Sequence, residues 1–345
     1  MQRKLASVQR VIHIEPIPNA DAIELVRING WQCVTKKAEF LPGSLGVFFE
    51  IDAVPPDDER FRFLWTPKAM VEGALVPRPE KFRIRTMRLR GALSQGLFMP
   101  LAAFPEIGDA VAEGDDLTEL LAVGKYEPPA PVNMGEWRGP FPPLVPKTDE
   151  MRVQSVPQVL DELRGKPYAA TLKYDGTSAT FVIDPRTGEF HVSSRNQSLR
   201  DGSNPYWNMA RKYDIEAVLR ANPNLAIQGE IVGPGVQKNP LGLPEVALFA
   251  FNVYDFSAGT YLDHDGARAF LGSNNITAVE TVEIGESFAH TQDELLALAE
   301  GKYPGTKNER EGIVIRPRTE AFSTTLGGRL SFKAISNRYL LAERD

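Results

Sequence analysis

The segment from Lys173 to Thr177 (KYDGT) places a lysine and a carboxylate side by side at a chain reversal. The strand-like run that ends at Lys173 predicts one strand, Asp175-Gly176 predicts a tight turn, and Thr177 begins a second strand. Both charged side chains would project from one short hairpin. A lysine amine is a nucleophile only when neutral, whereas a free amine has a pKa of about 10.4. Because Asp-Gly is also simply a favourable turn, this motif indicates little by itself.

The chain lacks the residues that several other kinds of catalysis require. Cys33 is the single cysteine, and the four histidines are scattered, so neither an internal disulfide nor a paired zinc-binding spacing is available. This excludes metalloprotease, zinc-finger and Cys-His nucleophile chemistry. A GxxxxGK[ST] loop and a GxGxxG motif after a strand are also absent from the sequence, so the common nucleotide-binding loops are missing.

Five further segments follow KYDG in a fixed order and combine charged or aromatic residues with strand-like sequence. They are SSRN (193–196), QGEIVG (228–233), FAFNVYD (249–255), EGIVIR (311–316) and SFKAIS (331–336). This ordered set resembles the covalent nucleotidyltransferases, which comprise ATP-dependent DNA ligases, RNA ligases and mRNA capping enzymes. The resemblance covers the second half of the chain, and so many motifs in one order are not expected by chance.

The resemblance implies a catalytic group drawn from these motifs. Lys173 would attack the α-phosphate of a nucleotide, which requires surroundings that favour the neutral amine. Lys333 would contact the α-phosphate and lower the pKa of Lys173. Hard cations prefer oxygen ligands, so Mg²⁺ or Mn²⁺ would be held by the three motif carboxylates Asp175, Glu230 and Glu311. The resemblance also places Glu230 and Glu311 near the ribose.

The same resemblance implies further nucleotide contacts. Phe251 would stack on adenine, and Arg195 would hold a phosphate or the ribose. The stretch PKTDEMRVQ (146–154) adds two phosphate contacts, with a simple linker end as the alternative. In the loop GPGVQKNPLG (233–242), Lys238 would touch nucleotide or RNA, unless the loop is only a Gly/Pro turn. The predicted nucleotide-binding residues are Lys147, Arg152, Leu172, Arg195, Glu230, Phe251 and Lys333.

Two positions depart from the family pattern. RNA ligases usually carry an aspartate directly after the stacking phenylalanine, and here Asn252 holds that place. The last motif usually has two lysines separated by one residue, whereas SFKAI offers only Lys333. The resemblance therefore assigns no role to Asn252, and it does not say which residue replaces the missing lysine.

The first 120 residues or so are rich in short strand-like runs separated by turn clusters such as PIPNAD and LPGSLG. Five such runs predict a small barrel. The fragment from Val11 to Val34 looks like the oligonucleotide-binding (OB) barrels that accompany tRNA synthetases, and such barrels bind oligonucleotides on one face. The predicted strands are Val8–Ile14, Ile23–Arg27, Trp31–Thr35, Val47–Ile51 and Phe82–Leu89.

A basic segment, KFRIRTMRLR (81–90), stands out in a chain whose formal net charge is −6. Its alternation predicts a half-buried strand with one basic face, and the change of parity after Arg85 predicts a bulge. We favour contact with a polyanion, against the alternative of a solvated edge strand protected from aggregation. The predicted nucleic-acid contacts are Arg83, Arg85, Arg88, Arg90 and Lys238.

The region 124–147 carries seven prolines, which fit neither helix interiors nor central strands. We therefore predict an OB-type domain at 1–123, a Pro-rich linker at 124–146 and a nucleotidyltransferase domain at 147–345. The fold class is α+β, with an N-terminal β-barrel followed by a mixed, ATP-grasp-like ligase domain of antiparallel sheets. One helix is well marked there, because Thr291 and Glu294 form a capping box and Gly301 ends the segment.

Composition predicts a soluble cytoplasmic protein, with 42% hydrophobic and 24% charged residues. The longest apolar stretches, such as 246–253, are far shorter than the roughly 20 residues that cross a bilayer. The N-terminus lacks the apolar core of a secretory signal. No membrane and no obligate protein partner are expected.

The order of the domains narrows the resemblance. DNA ligases and capping enzymes place an OB domain after the last motif, but only nine residues follow Ser336 here. A barrel that precedes the transferase domain resembles the RNA ligases of the Deinococcus and Naegleria type, the ligase-5 family.

That resemblance implies a polyribonucleotide ligase that uses ATP and Mg²⁺ or Mn²⁺. It would seal 3′-OH/5′-phosphate nicks in duplex RNA or RNA–DNA hybrids, with ribonucleotides on the 3′-OH side. The alternatives are a GTP-dependent capping-type guanylyltransferase and a non-catalytic OB-fold RNA-binding protein.

Overall fold

A computed structural model of the chain describes residues 3–66, 76–108, 110–127 and 135–342. The chain divides into two compact units, one within residues 1–128 and the other within residues 129–342. Antiparallel sheets with short helices confirm the predicted α+β class. Among the described residues, no helix is both long and apolar enough to cross a membrane.

The N-terminal unit is built mainly from short strands, with three turns of 3₁₀-helix at Glu59–Leu64, Leu101–Ala103 and Pro105–Ile107. The strands are β1 (Ala6–Pro16), β2 (Ile23–Ile28), β3 (Trp31–Lys36), β4 (Leu45–Phe49), β5 (Ala53–Val54), β6 (Thr86–Leu89), β7 (Ala92–Gln95), β8 (Leu97–Pro100) and β9 (Gly124–Lys125).

Strand β1 organises this unit because it pairs with two neighbours. Its first half pairs with β4 and its second half with β2, and a register shift between Val11 and His13 bends it between them. The resulting sheet has the order β3-β2-β1-β4-β8. The β6–β7 hairpin lies beside β3, where Ser94 Oγ accepts the Val34 N–H at 3.0 Å. Phe49, buried within this curved sheet, belongs to its core.

The basic segment differs from its prediction. Only Thr86–Leu89 forms a strand, so the predicted Phe82–Leu89 strand with a bulge is wrong. The hairpin turns at Arg90 and Gly91, both with positive φ (50° and 86°), as a tight two-residue turn requires. The parity change in the sequence therefore marks the start of a hairpin and not a bulge.

The C-terminal unit contains the remaining strands and all α-helices of the described residues. The strands are β10 (Trp137–Pro140), β11 (Met151–Arg152), β12 (Tyr168–Lys173), β13 (Thr177–Ile183), β14 (Phe190–Ser193), β15 (Gln197–Leu199), β16 (Leu225–Val232), β17 (Ala247–Asp255), β18 (Thr260–Tyr261), β19 (Thr281–Gly285), β20 (Gly312–Pro317), β21 (Phe322–Ser323), β22 (Gly328–Arg329) and β23 (Phe332–Ile335). The helices are α1 (Val159–Leu163), α2 (Pro205–Lys212), α3 (Ile215–Ala221), α4 (His264–Ser273), α5 (Gln292–Ala299) and α6 (Asn337–Ala342), with a 3₁₀ turn at Val153–Ser155.

Two sheets form the body of this unit. A seven-stranded sheet has the order β10-β15-β14-β13-β16-β17-β18, and a five-stranded sheet has the order β11-β23-β20-β12-β19. One apolar core packs the first sheet against α2, α3 and α4, and a second core packs the other sheet against α1 and α5. Strands β12 and β13 are consecutive in the chain but belong to different sheets. The predicted hairpin at Lys173–Thr177 is therefore wrong, because its two strands do not pair with each other. The KYDG turn instead lies where the two sheets meet.

Two local predictions have different outcomes. Helix α5 begins at the predicted capping box, in which Thr291 Oγ1 accepts the Glu294 N–H and the Glu294 carboxylate accepts the Thr291 N–H. Residues 137–140, predicted as linker, instead form β10 and pair with β15. This strand is tolerated despite its proline because β10 is at the edge of the sheet, where a missing N–H costs no ladder bond.

Candidate active site

The KYDG turn is held close to β16. Lys173 is the last residue of β12, and Thr177 is the first residue of β13. A Cβ on Gly176 would overlap the carbonyl oxygen of Ile231 and the side chain of Val232, so the turn can approach β16 this closely only with glycine. The same approach brings the turn next to Glu230, on the same strand.

Sheet register explains why Glu311 meets Lys173. Lys173 is the register partner of Gly312 on β20, and Glu311 is the residue directly before Gly312. Lys173 Nζ donates to Glu311 Oε2 at 2.8 Å, with the two side chains 25% and 16% exposed. The predicted catalytic lysine and one predicted carboxylate are thus in direct contact, 138 residues apart in sequence.

The carboxylates dominate the electrostatics of Lys173. Burial by itself would lower the pKa of Lys173, but the charges of Glu311, Glu230 and Asp175 outweigh burial and raise it above the ordinary lysine value. Burial, together with the charges of Glu311 and Asp175, raises the pKa of Glu230 to about 8 despite the opposing lysine. Without a bound cation, the surroundings of Lys173 therefore favour its protonated form.

A second cationic pair lies in the same sheet. Arg152 on β11 and Lys333 on β23 are register partners in a parallel pairing, and Arg152 is 9% exposed. Burial, followed by the charges of Lys173 and Arg152, lowers the pKa of Lys333 to about 8. Lys173 and Lys333 repel one another as like charges, and this repulsion is one of the causes that lower the pKa of Lys333. The predicted effect of Lys333 on Lys173 stays a prediction, because the carboxylates dominate the pKa of Lys173. These two cations, of which Arg152 is buried and Lys333 is half-buried, are suited to bind an anion such as phosphate.

Phe251 is presented by a β-bulge. Gln228 pairs with Asn252 and Gly229 pairs with Ala250, which leaves Phe251 as the extra residue of β17. Its half-buried ring packs against the apolar cluster that contains Leu172. The carbonyl of Phe251 accepts a hydrogen bond from Arg316 Nη1 at 3.3 Å. Bulges commonly re-aim a side chain next to an active site, and this one is anchored from the other sheet.

Two residues that sequence reasoning missed support this bulge. Arg316 also donates to Glu150 Oε1 at 2.9 Å and to Ser331 Oγ at 3.0 Å, and both members of the Glu150–Arg316 pair are about one-eighth exposed. Glu150 also acts electrostatically on Lys333. The sequence offered two signals for these residues: Arg316 is a charged residue at the end of the apolar run GIVI, and Glu150 is an acidic residue within PKTDEM.

Asn252 has a structural explanation. Its buried amide donates to Gln228 Oε1 at 3.0 Å and accepts from Arg329 Nη1 at 2.7 Å. Arg329 stacks on the ring of Tyr261, with 3.9 Å from Cζ to the ring centroid. A neutral amide both donates and accepts, as this position requires, whereas an ionised aspartate only accepts.

The remaining predicted nucleotide contacts fall into two groups. Lys147 and Arg195 are exposed, and they bond to Asn196 at 3.1 Å and to Asp149 at 2.5 Å respectively. Lys238 is exposed in the loop after β16, next to Gln237, whose side chain donates to the Gly176 carbonyl at 3.2 Å. Leu172 is only 3% exposed, and its side chain is part of the apolar core.

The three carboxylates fit a hard cation only in part. Within the described ranges, no three His, Cys, Asp or Glu side chains are arranged as a ready metal cage. Glu311 is instead paired with Lys173. The predicted three-carboxylate site of Asp175, Glu230 and Glu311 is thus not preformed. Mg²⁺ is commonly bound by one or two carboxylates plus substrate phosphates and water, and this donor set suits that arrangement.

The four arginines predicted to contact nucleic acid from the N-terminal unit differ in their exposure to solvent. Arg83 is 7% exposed, lies 3.5 Å from Asp52 and stacks on Tyr126 at 4.1 Å, so its prediction as a nucleic-acid contact is wrong. Arg85 is half-buried. Of the four predicted arginines, Arg88 and Arg90, on the β6–β7 hairpin, are exposed.

Comparisons with known proteins agree on both units. An OB-fold domain model matches residues 5–101, and an RNA ligase family model matches residues 166–335. A variant of Naegleria gruberi RNA ligase solved with ATP and Mn has a TM-score of 0.87 and 36% identity, covering 99% of this chain and 100% of that one.

The same N. gruberi RNA ligase solved with PPi has a TM-score of 0.85 and 38% identity, with 98% of each chain covered. The comparison with curated proteins gives no match. The predicted N-terminal OB barrel and the predicted family are confirmed. With its ligase domain, its preceding OB fold and this identity over nearly its whole length, the chain belongs to the RNA ligase family of covalent nucleotidyltransferases.

Proposed function

We propose that this RNA ligase uses ATP and seals 3′-OH/5′-phosphate nicks through three phosphoryl transfers. Lys173 attacks ATP to give lysyl-AMP and pyrophosphate, AMP passes to the 5′-phosphate, and the 3′-hydroxyl then attacks the adenylylated end and releases AMP. The observation that carries this proposal is the group around Lys173, with Glu311 at 2.8 Å and the Lys333–Arg152 pair in the same sheet.

The first transfer needs Lys173 Nζ to lose its proton. Glu311 Oε2 already accepts a hydrogen bond from this amine, so it is the group placed to hold that proton. A bound Mg²⁺ or Mn²⁺, held by Asp175, Glu230 or Glu311 together with phosphates, would neutralise charge on the transferring phosphate and offset the carboxylates that raise the pKa of Lys173.

The flanking residues bind and orient the nucleotide. The Lys333–Arg152 pair presents two cations to the α-phosphate, and Phe251 on its anchored bulge offers a ring face to adenine. Arg195 and Lys147 supply exposed cations for the outer phosphates or the ribose. The relatives with ATP, AMP or PPi and Mn in their structures support this assignment of ligands.

The polynucleotide partner we propose is a nicked duplex of RNA or an RNA–DNA hybrid, with ribonucleotides on the 3′-OH side. Arg88 and Arg90 are exposed on the β6–β7 hairpin, and Lys238 is exposed beside the KYDG turn. In a chain of net charge −6, such local cations are the surfaces that attract a polyanion. Arg85 remains a candidate through its exposed part.

A labelling experiment tests the nucleotide and the nucleophile. Wild type and Lys173→Ala are incubated with α-³²P-ATP or α-³²P-GTP and manganese, then separated on a denaturing gel. We expect a covalent label from ATP that is lost in Lys173→Ala and removed by pyrophosphate. Label from GTP would indicate capping chemistry, and no label from either nucleotide would favour a non-catalytic RNA-binding protein.

A sealing assay tests the partner. Nicked duplexes that differ only in a ribose or deoxyribose at the 3′-OH terminus are compared on RNA and DNA bridging strands. We expect sealing with the ribose terminus and loss with the deoxyribose terminus. Equal sealing of both termini would contradict the proposed ribonucleotide requirement.

A further inference from the structure

Tyr303 lies in the loop between α5 and β20, a segment outside every motif that the sequence resemblance used. Its ring is 1% exposed and belongs to the apolar cluster beneath the KYDG turn, 5.9 Å from the ring of Tyr174. The loop is braced at its base, because Tyr303 N donates to the Asn308 carbonyl and Arg310 N donates to the Gly301 carbonyl. The phenol is therefore held in one place.

The hydroxyl of Tyr303 links the KYDG turn to the residue that precedes β20. It donates to the Lys173 carbonyl at 3.1 Å, accepts the Asp175 N–H at 3.1 Å and accepts the Glu311 N–H at 3.2 Å. A hydroxyl has one donor and two acceptor positions, so its whole capacity is used. Each bond ends on the backbone of a residue whose side chain belongs to the proposed catalytic group.

We propose that Tyr303 is a positioning residue for lysine adenylylation, because its hydroxyl holds the backbones of Lys173, Asp175 and Glu311 in one arrangement. This inference rests on the proposed function. The Lys173–Glu311 contact of 2.8 Å joins the last residue of β12 to the residue before β20, and the hydrogen bonds of Tyr303 restrict how far the two can separate. Small displacements of a reacting group reduce rates strongly, so such a restriction acts on the chemical step.

The chemistry of the site requires a phenol at this position. A phenol has an ordinary pKa of about 10, so at neutral pH the group is a hydroxyl that can both donate and accept. A phenylalanine would keep the ring packing but leave the Asp175 and Glu311 N–H groups without this acceptor. A serine or threonine would lose the ring that carries the hydroxyl to the turn.

The test compares Tyr303→Phe with the matched variant Tyr168→Phe. Tyr168 is also buried, its hydroxyl is bonded to His290 Nε2 at 2.8 Å and to Glu283, and it begins the same strand that Lys173 ends. Single-turnover labelling of each variant with α-³²P-ATP gives the rate constant and the ATP concentration for half-maximal rate. Unfolding of both variants is followed by circular dichroism.

We expect Tyr303→Phe to reduce the rate constant at saturating ATP by about 10- to 100-fold, the range for one or two lost orienting interactions, with the half-maximal ATP concentration changed less than about 3-fold. Tyr168→Phe should retain the wild-type rate constant. If Tyr303→Phe does not fold, 3,5-difluorotyrosine at position 303 replaces it; this keeps the ring and hydroxyl but weakens the acceptor, and a smaller rate loss is expected.

Two results would overturn the inference about Tyr303. One is a wild-type rate constant for Tyr303→Phe or, where that variant does not fold, for the difluorotyrosine protein. The other is an equal loss in Tyr303→Phe and Tyr168→Phe, which would indicate a general packing effect. Absence of label in the wild type would instead contradict the proposed function, so the two failures are distinguishable.

Discussion

The buried pair Glu150–Arg316 gives the sharpest prediction about how this site is held together. Arg316 makes three side-chain bonds, to Glu150 at 2.9 Å, Ser331 at 3.0 Å and the Phe251 carbonyl at 3.3 Å. Replacing it by methionine, which has a similar length and no charge, leaves the carboxylate of Glu150 buried without this partner. Such an uncompensated buried charge costs about 3–5 kcal/mol of unfolding free energy.

The control is an exposed pair of the same chemistry. Arg220 and Glu216 form an i,i+4 contact of 2.5 Å on α3, with side chains 53% and 45% exposed. Because solvent screens this pair, Arg220→Met should cost only about 0.3–0.5 kcal/mol. Urea unfolding followed by circular dichroism and tryptophan fluorescence measures both changes under the same conditions.

A double-mutant cycle identifies the source of the loss. Glu150→Gln combined with Arg316→Met should be less destabilising than the sum of the two single variants, by roughly 1–3 kcal/mol, because the second change removes the stranded charge. The Arg316 variant should also require more ATP for half-maximal labelling, since the Phe251 bulge loses its anchor. Equal costs for Arg316→Met and Arg220→Met, or an additive cycle, would refute this reasoning.

Three further predictions follow from the charged residues. The double variant Arg88→Ala/Arg90→Ala should weaken nick sealing and the salt dependence of sealing but leave Lys173 labelling intact. The control Arg83→Ala should mainly lower the melting temperature, because Arg83 is buried. Equal loss of labelling and sealing in the double variant would contradict the assignment of these arginines to RNA binding. Burial acts against ionisation of Glu162, but hydrogen bonds from the 323–325 segment outweigh burial and lower the pKa of Glu162 to about 2, below the unfolded value of about 4.3. The resulting stabilisation of the folded state is complete above about pH 5 and is lost as the pH falls through about 2. Acid unfolding of a Glu162→Gln variant should lack that pH dependence. Lys333→Met should raise the urea midpoint at pH 7, because burial and neighbouring cations disfavour the charged lysine, while abolishing labelling; a lowered midpoint would show that the lysine is net stabilising.

Local patterns predicted much of the C-terminal unit. The end of β12 at Lys173, the start of β13 at Thr177 and the capping box of α5 are as the sequence indicated. These features depend on residues within a few positions of one another, where alternation, turn chemistry and capping act directly. The predicted hairpin between the two strands is wrong, because β12 and β13 pair with different neighbours in different sheets. The prediction that Arg83 in the basic segment contacts nucleic acid failed for a different reason. The alternation of the segment does not indicate that Arg83 pairs with Asp52 and stacks on Tyr126.

The sequence by itself determined the family, the nucleophile candidate and the set of carboxylates, because motif order and residue type are written along the chain. Tertiary structure alone decided which charge dominates at each group. Lys173 has a raised pKa because strand register places Glu311 beside it. Lys333 has a lowered pKa because it is buried and lies near the charges of Lys173 and Arg152. Asn252 and Tyr303 gained their roles in the same way, since their partners are brought together only by pairing and packing across long stretches of chain.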